Sequence, residues 1–471
     1  MNKQQTIGIW GFSRVGSAAA RYYVRHGMHP GIFDANPLTS EQQTYCQKEK
    51  LYVWSPDQLV PFLEQYDLIL PSPGIDLRPY QAYAHKWVSE FDLFCHEYKK
   101  PIIAITGSIG KTSITHLLSQ LLTNVYGTIA TGGNIGIGML DLLTLDDTKL
   151  ALLELSSFQL ELVQTGSADL AIITNIYPNH LDRHGTLDAY TAAKTRIYKH
   201  QTKEQKLLLP YDLVPTLCTM TAPHGQLYCF IDTPIKQAPA LPTGCTGIFF
   251  QDTAHTLIYL DAHGHTELMS LENLPPITFA QNWLIIASAA HLLGVDLQLL
   301  TTSASRFSLP PHRLEYLGCA QGFTFYNDSK ATTISSMLAA VKAVAKKKSV
   351  HLFIGGLSKG VDREPAIMEL PDKLVHAYCF GAEAESLNGL CIKHDIASSS
   401  HATLEDAFSL CMTQLNDGQT VLLSPGGASY DLFVDYEQRG TVFTSLVKNY
   451  IQNAADQTLQ VTPTTCPPPL A

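Results

Sequence analysis

Short runs of apolar residues alternate with longer stretches in which apolar positions return every three to four residues, and this alternation repeats along the chain. Near the N-terminus, residues 6–10, 31–34 and 66–71 predict strands and 17–26 a helix, the βαβ order of a parallel sheet. A second start of the same kind follows Pro101, with buried strands predicted at 150–155 and 170–175. Residues 200–275 are less regular; 247–250 and 256–259 predict short strands, as in a local sheet insertion. The run 282–293 is apolar nearly all round and predicts a buried helix. A third start follows Pro310-Pro311, with strands predicted at 323–327, 350–354, 377–380 and 420–423. From about Asp456 the chain turns Thr- and Pro-rich and offers nothing to pack, so 456–471 is expected to be a disordered tail. The pattern as a whole is α/β, in three units.

Residues 103–113, Ile-Ala-Ile-Thr-Gly-Ser-Ile-Gly-Lys-Thr-Ser, carry the strongest chemistry. An apolar strand enters a glycine-rich turn and leaves it as a helix, the build of a phosphate cradle. Around Gly107, Ser108 and Gly110 the backbone N–H groups can approach phosphates, and the helix N-terminus adds positive potential. In this pattern Lys111 serves the β- and γ-phosphates and Thr112 a Mg²⁺ ion. The loop is shortened, because Ile105 stands where the longer pattern has its first glycine.

Other segments divide between functional and ordinary readings. Gly11-Phe-Ser-Arg-Val-Gly16 follows the first strand and Asp34 ends the second, which nearly matches a dinucleotide fingerprint. Ser13 takes the position of the second glycine, where the backbone must approach a pyrophosphate, so a nicotinamide site is disfavoured. A nucleotide-shaped pocket walled by Pro71-Ser-Pro-Gly-Ile75, at another strand end, stays open as a reading. Glu154 ends the 150–155 strand and is placed to share Mg²⁺ with ATP phosphates; the ordinary alternative is a charge at a helix N-terminus. Asn175, His180 and Asp182 follow the next strand on a loop, where His180 gains weight. Lys194, in the helical run 190–198, reads by itself as a surface lysine.

Composition narrows the classes. The 471 residues are 45% apolar and 16% charged, enough for several buried cores. A net charge of −10 argues against a nucleic-acid footprint. No run of about 18 apolar residues predicts a membrane span, and the first residues do not read as a secretory signal. Ten cysteines are scattered without a C-x-x-C pair, and Cys229 and Cys379 sit in apolar strands, where reduced thiols are expected. Together these point to the cytoplasm.

Taken together, several segments resemble the ATP-dependent Mur ligases of peptidoglycan synthesis, and among them the D-glutamate-adding branch. They are Thr106-Gly-Ser-Ile-Gly-Lys-Thr, Gly133-Asn-Ile-Gly, Glu154-Leu-Ser-Ser-Phe-Gln-Leu-Glu, His180-Leu-Asp-Arg and Ala193-Lys-Thr-Arg-Ile-Tyr, then Pro311-His-Arg, Asn327-Asp-Ser-Lys-Ala-Thr, Gly355-Gly-Leu-Ser-Lys-Gly, Leu423-Ser-Pro-Gly-Gly-Ala-Ser and Tyr436-Glu-Gln-Arg-Gly. The resemblance runs from about residue 7 to 445. It implies a Rossmann-like N-terminal domain for a UDP-sugar (1–96), a central P-loop ATPase with a mainly parallel sheet (97–303) and a Rossmann-like C-terminal domain for the amino acid (304–455).

It also implies a reaction. The carboxylate of UDP-N-acetylmuramoyl-L-alanine attacks ATP to give an acyl phosphate, which the D-glutamate amine displaces. By resemblance, Thr112 and Glu154 share one Mg²⁺, and His180 and an N-carbamylated Lys194 hold a second. Gly107, Ser108, Gly110, Lys111, Thr112 and Ser113 would bind ATP with Asn282, Arg313 and Asp328. Lys330 would assist near the reacting phosphate. Thr332, Lys359, Ser429 and Tyr436 would hold D-glutamate; Arg14, Asn36, Ser72, Gly74 and Asn134 would contact the UDP-sugar. A monomer without nucleic-acid or membrane partners is implied.

Departures from the family pattern fall at Ile109 in the loop, Asn179 before the metal histidine, Ile285 near adenine, Asn36 over the uracil and Tyr436. They touch base recognition and amine capture more than phosphate chemistry. The competing readings are a sister Mur-type or folylpolyglutamate-type ligase and a non-catalytic nucleotide-binding module. The joint presence of Lys111, Glu154, His180 and Lys194 speaks against the latter, because binding alone does not need a two-metal set.

Overall fold

The computed structural model describes residues 5–275, 278–345, 348–370, 372–415 and 418–458. Three sheets carry the fold. The first is parallel, in order β2-β1-β3, with β1 (Ile7–Trp10), β2 (Gly31–Phe33) and β3 (Leu68–Pro71). Its strands are apolar throughout because both faces are covered. Ile7, Ile9, Ile32 and Leu70 join the helix Arg14–Arg25 in one cluster, while Trp10, Phe33 and Ile69 pack with Phe62 and Trp87 in another. That split follows the two-residue alternation of a strand.

The second sheet has nine strands, in order β12-β11-β10-β9-β8-β7-β4-β6-β5. They are β4 (Ile102–Thr106), β5 (Ala130–Gly133), β6 (Ala151–Glu154), β7 (Leu170–Ile173), β8 (Lys206–Pro210), β9 (Gln226–Phe230), β10 (Cys245–Gln251), β11 (Thr256–Asp261) and β12 (Gly264–Ser270). Pairing is parallel from β5 to β10 and antiparallel for β11 and β12. Residues 200–275 are therefore no separate insertion. They extend the central sheet, because Leu207–Leu209 and Leu227–Phe230 are buried strand cores like those of β4 and β7.

The third sheet runs β13-β14-β18-β15-β16-β17 and is parallel except for β13 against β14. Its strands are β13 (Glu315–Ala320), β14 (Phe323–Asn327), β15 (Val350–Gly355), β16 (Leu374–Phe380), β17 (Ser398–His401) and β18 (Thr420–Leu423). Separate apolar clusters fill its two faces.

The chain divides into two compact units. One comprises the described residues up to Ile176, then Asp188–Glu272 and Leu284–Ser303, and holds the first two sheets with one buried cluster running through both. The other comprises Tyr177–Leu187, Asn273–Trp283 and the described residues from Ala304 on, and holds the third sheet. The expected buried helix is Ala280–Leu292. The helix Tyr436–Thr458 reaches into the stretch read as a tail, and the rest of that stretch, 459–471, lies outside the described residues. Cys229 and Cys379 are buried free thiols, as expected of cysteines in apolar strands, and Cys319 is disulfide-bonded. Among the described residues no helix is long and apolar enough to cross a membrane.

Candidate active site

β4 lies between β6 and β7, so the C-terminal ends of these three strands converge. This is where open α/β sheets place ligands. The glycine-rich turn leaves β4 at Gly107, whose φ is +147°, and a Cβ there would overlap Thr174 Oγ1. Gly110, at φ +85°, is the N-cap of the helix Lys111–Tyr126. The residues after β7 latch the turn. Thr174 Oγ1 donates to Ile109 O at 2.7 Å, Ile109 N donates to Asn175 Oδ1 at 2.9 Å, and Ser108 N donates to Asn175 O at 3.0 Å. Thr174 had no assigned role in the sequence reading, and the small polar pair ending a buried strand was its only signal. Lys111 folds back on the turn, with Nζ donating to Gly107 O at 2.8 Å and Ser108 O at 3.0 Å. Thr112 and Ser113 are buried in the helix's first turn.

Lys194 is no surface lysine. It is 1% exposed, and its Nζ donates to Gly107 O at 2.9 Å and Thr106 Oγ1 at 3.3 Å. The ring of Tyr190 lies 4.5 Å from that nitrogen, and the Tyr190 hydroxyl bonds Ser108 Oγ at 3.1 Å. The local helical pattern misled because the turn 107–110 covers this helix face, and no local sequence shows that. Burial pushes the Lys194 amine well below the ordinary lysine range, with the Lys111 cation adding to it and Glu154 opposing. Two lysine nitrogens thus meet at one carbonyl, Gly107 O.

Glu154 ends β6 and is 2% exposed. Its Oε1 accepts from Asn134 Nδ2 at 3.2 Å, while Oε2 is buried without a hydrogen-bond partner among the described residues. Such an orphaned carboxylate oxygen is costly, and a divalent cation would meet its demand. The unmet Glu154 oxygen therefore fits a hard divalent cation such as Mg²⁺. Among the described residues no three His, Cys, Asp or Glu side chains group as a metal cage.

The residues expected to contact the UDP-sugar lie in the same unit. Arg14 Nη1 donates to Asn134 O at 3.5 Å and Gly136 O at 3.3 Å, which fixes the exposed loop that carries Asn134. Ser72 is buried after β3 and donates from Oγ to Gly11 O at 3.1 Å; Gly74 faces open space. Asn36 is exposed, and its N–H donates to Asp34 Oδ1 at 2.8 Å. In the near-fingerprint, a Cβ on Gly16 would overlap Gly11 O, so that glycine serves helix–strand packing.

The remaining expected residues belong to the other unit. His180, at φ +54°, is the N-cap of the short helix Leu181–His184. Asn282 Nδ2 donates to Thr278 Oγ1 at 2.7 Å. Asp328 follows β14 and is pushed up to about 6 by burial, although Arg313 and the Ser424 hydroxyl, at 2.9 Å from Oδ2, pull the other way. Arg313 Nε is buried without a hydrogen-bond partner among the described residues. Lys330 Nζ lies 5.1 Å from the Tyr436 ring, and Lys359 Nζ donates to Thr332 Oγ1 at 3.2 Å. Ser429 is buried.

Arg439 ties these segments together. Its guanidinium, fully buried, donates from Nε to Ser329 Oγ at 3.0 Å, from Nη2 to Ser329 O at 2.7 Å and from Nη1 to Gly427 O at 3.1 Å. Sequence reasoning gave it no role. Its place on the same helix face as Tyr436, one turn on, was the available signal.

Residues 105–227 match the model of the Mur ligase middle domain, and 312–427 match that of the Mur ligase glutamate ligase domain. The UDP-N-acetylmuramoylalanine--D-glutamate ligase of Acidobacterium capsulatum is 30% identical over 459 residues, covering 94% of this chain and 96% of that protein. The chain belongs to the Mur ligase family. The ligase of the same description from Legionella pneumophila (strain Paris) is 31% identical over 462 residues, 93% of this chain and 98% of that protein. The solved MurF ligase of Thermotoga maritima in complex with ADP superposes with a TM-score of 0.56 at 15% identity, covering 97% of this chain and 96% of that one, and shows the shared fold. Within this Mur ligase, the turn at Gly107, Glu154 and Lys194 fall in the middle-domain match, and Asp328, Lys330, Thr332 and Lys359 fall in the glutamate ligase match.

Proposed function

We propose that this ligase joins D-glutamate to UDP-N-acetylmuramoyl-L-alanine at the expense of ATP, in the cytoplasm, through an acyl phosphate. The observation that carries the reading is the pair of lysine nitrogens at Gly107 O, set beside a buried carboxylate with one unmet oxygen. The three-part division at 1–96, 97–303 and 304–455 belongs to this reading, with acceptor, nucleotide and amino acid assigned in that order.

The turn 107–110 and the helix N-terminus at Lys111 present N–H groups to the phosphates of ATP. Lys111 turns from the loop carbonyls onto the β- and γ-phosphates. Mg²⁺ held by Thr112 and Glu154 would neutralise charge on the transferring group. An acceptor carboxylate oxygen bonds the γ-phosphorus and ADP leaves. The D-glutamate nitrogen, having lost a proton, then bonds the acyl carbon, and the carbon–oxygen bond to phosphate breaks. Lys330 neutralises the leaving phosphate; Thr332, Lys359, Ser429 and Tyr436 orient D-glutamate. Arg14, Asn36, Ser72, Gly74 and Asn134 hold the acceptor. Asn282, Arg313 and Asp328 serve the nucleotide.

Burial favours the neutral Lys194 amine, the form that adds CO₂. The new N–C bond to CO₂, with one amine proton released to solvent, would turn Lys194 into a carbamate whose anionic oxygens suit a hard cation. Mass spectrometry of products from D-glutamate, L-glutamate, meso-diaminopimelate and D-Ala-D-Ala tests the assignment. Product with D-glutamate alone is expected; comparable product with another amine donor would move the chain to a sister reaction.

A further inference from the structure

Glu90 is the first residue of the helix Glu90–Glu97, and a carboxylate there would ordinarily face the helix N-terminus and water. Here the side chain is 6% exposed and turned inward. Its Oε1 accepts from Met139 N at 3.0 Å, and its Oε2 accepts from Gln159 Nε2 at 3.4 Å. Gln159 Oε1 in turn accepts from Ser156 N and Ser156 Oγ, both at 3.0 Å. Ser156 lies two residues after Glu154, which holds Asn134 through Oε1. Met139 ends the loop that begins at Asn134. The contacts therefore close a circuit: Asn134 to Glu154, along the chain to Ser156, through Gln159 to Glu90, and back through Met139 to Asn134.

We propose that Glu90 is a positioning residue: its carboxylate locks the loop 134–139 to the turn 154–159 and so holds Asn134, at the acceptor subsite, in place against the strand-borne Glu154. That subsite assignment rests on the function proposed above. The groups that face the carboxylate, Gln159 Nε2 and the backbone N–H groups of Met139 and Leu140, are all donors, so its acceptor-only form matches them and an O–H would point at another donor. Burial, reinforced by Asp141, pushes the carboxyl up to about 7, against the pull of the Gln159, Leu140 and Met139 donors. Asp141 is itself engaged by Arg21, at 2.9 and 2.6 Å.

The donor logic yields a reciprocal test. In E90Q the new amide places its NH₂ against Gln159 Nε2, so one contact breaks. Adding Gln159→Glu restores it, because the new carboxylate accepts from both the substituted amide and Ser156. E90Q is expected to raise KM for UDP-N-acetylmuramoyl-L-alanine about tenfold, the size of one buried charge-assisted hydrogen bond, with KM for ATP changed less than about twofold. Backbone hydrogen exchange in 134–140 and 155–159 should speed up in E90Q, and both effects should revert in the E90Q/Q159E double variant. Wild-type KM and wild-type exchange in E90Q would overturn the inference. So would a rise in both KM values with a lowered melting temperature that the second substitution does not rescue. If wild type does not turn over this acceptor, the proposed function fails, and the exchange arm still decides on Glu90 by itself. If E90Q alone is insoluble, a soluble double variant with wild-type exchange supports the inference and an insoluble one overturns it.

Discussion

Replacing Lys194 by Met separates a catalytic role from a structural one. The substitution keeps a long unbranched apolar stem over Tyr190 and removes the nitrogen. Neither acceptor of that nitrogen is stranded: Gly107 O still receives Lys111 Nζ at 2.8 Å, and the Thr106 hydroxyl still donates to Leu155 O at 2.8 Å. The loss is then two hydrogen bonds from an amine whose burial was itself unfavourable, so stability should change by no more than about 1 kcal/mol in either direction. Turnover should fall by about 10²-fold or more, roughly 2.7 kcal/mol of transition-state stabilisation. Urea unfolding and steady-state phosphate release on the same preparation supply both numbers. A variant keeping more than about half of wild-type turnover would refute the catalytic reading. A variant losing stability by several kcal/mol would show that the buried amine holds the turn 107–110 together instead.

Lys111→Ala should lower turnover by about 10²-fold or more while leaving the melt near wild type, checked by phosphate release and thermal unfolding. Gly107→Ala should abolish nucleotide binding in a titration with ADP, because the added Cβ meets Thr174 and strains a φ of +147°. Burial lowers His351, His376 and His401 in the third sheet, so the unfolded chain takes up protons first as pH falls below about 6.5. Their contribution is whole above that pH and is lost on acidification, whereas Glu90 and Asp328, both raised, act in the opposite sense over the same window. The His351→Asn variant should therefore lose less unfolding free energy than wild type between pH 7 and 5, measured by urea denaturation at each pH.

The readable parts of the fold were those whose signal is local. Apolar strands such as 102–106 and 350–355 announce themselves because they are covered on both faces. β17 (Ser-Ser-Ser-His) has no apolar residue and exists only because β16 offers it a paired edge. β12 is mostly exposed and pairs with β11 in the same way. The site divided along the same line. The turn 107–110 is written in consecutive residues, but the burial of Lys194, the Thr174–Asn175 latch and the Glu90–Gln159 contact join residues distant in sequence. Arg439 was visible as a letter in a motif, and only its three bonds give it a task.

The most direct test of the account is isotopic. UDP-N-acetylmuramoyl-L-alanine labelled with ¹⁸O in its free carboxylate is incubated with the ligase, ATP, Mg²⁺ and D-glutamate, and the released phosphate is analysed by mass spectrometry. Attack of the carboxylate on the γ-phosphorus, followed by amine displacement at the acyl carbon, requires one ¹⁸O atom in each phosphate formed. Phosphate released without ¹⁸O, alongside ADP and the D-glutamyl product, would contradict the acyl-phosphate route.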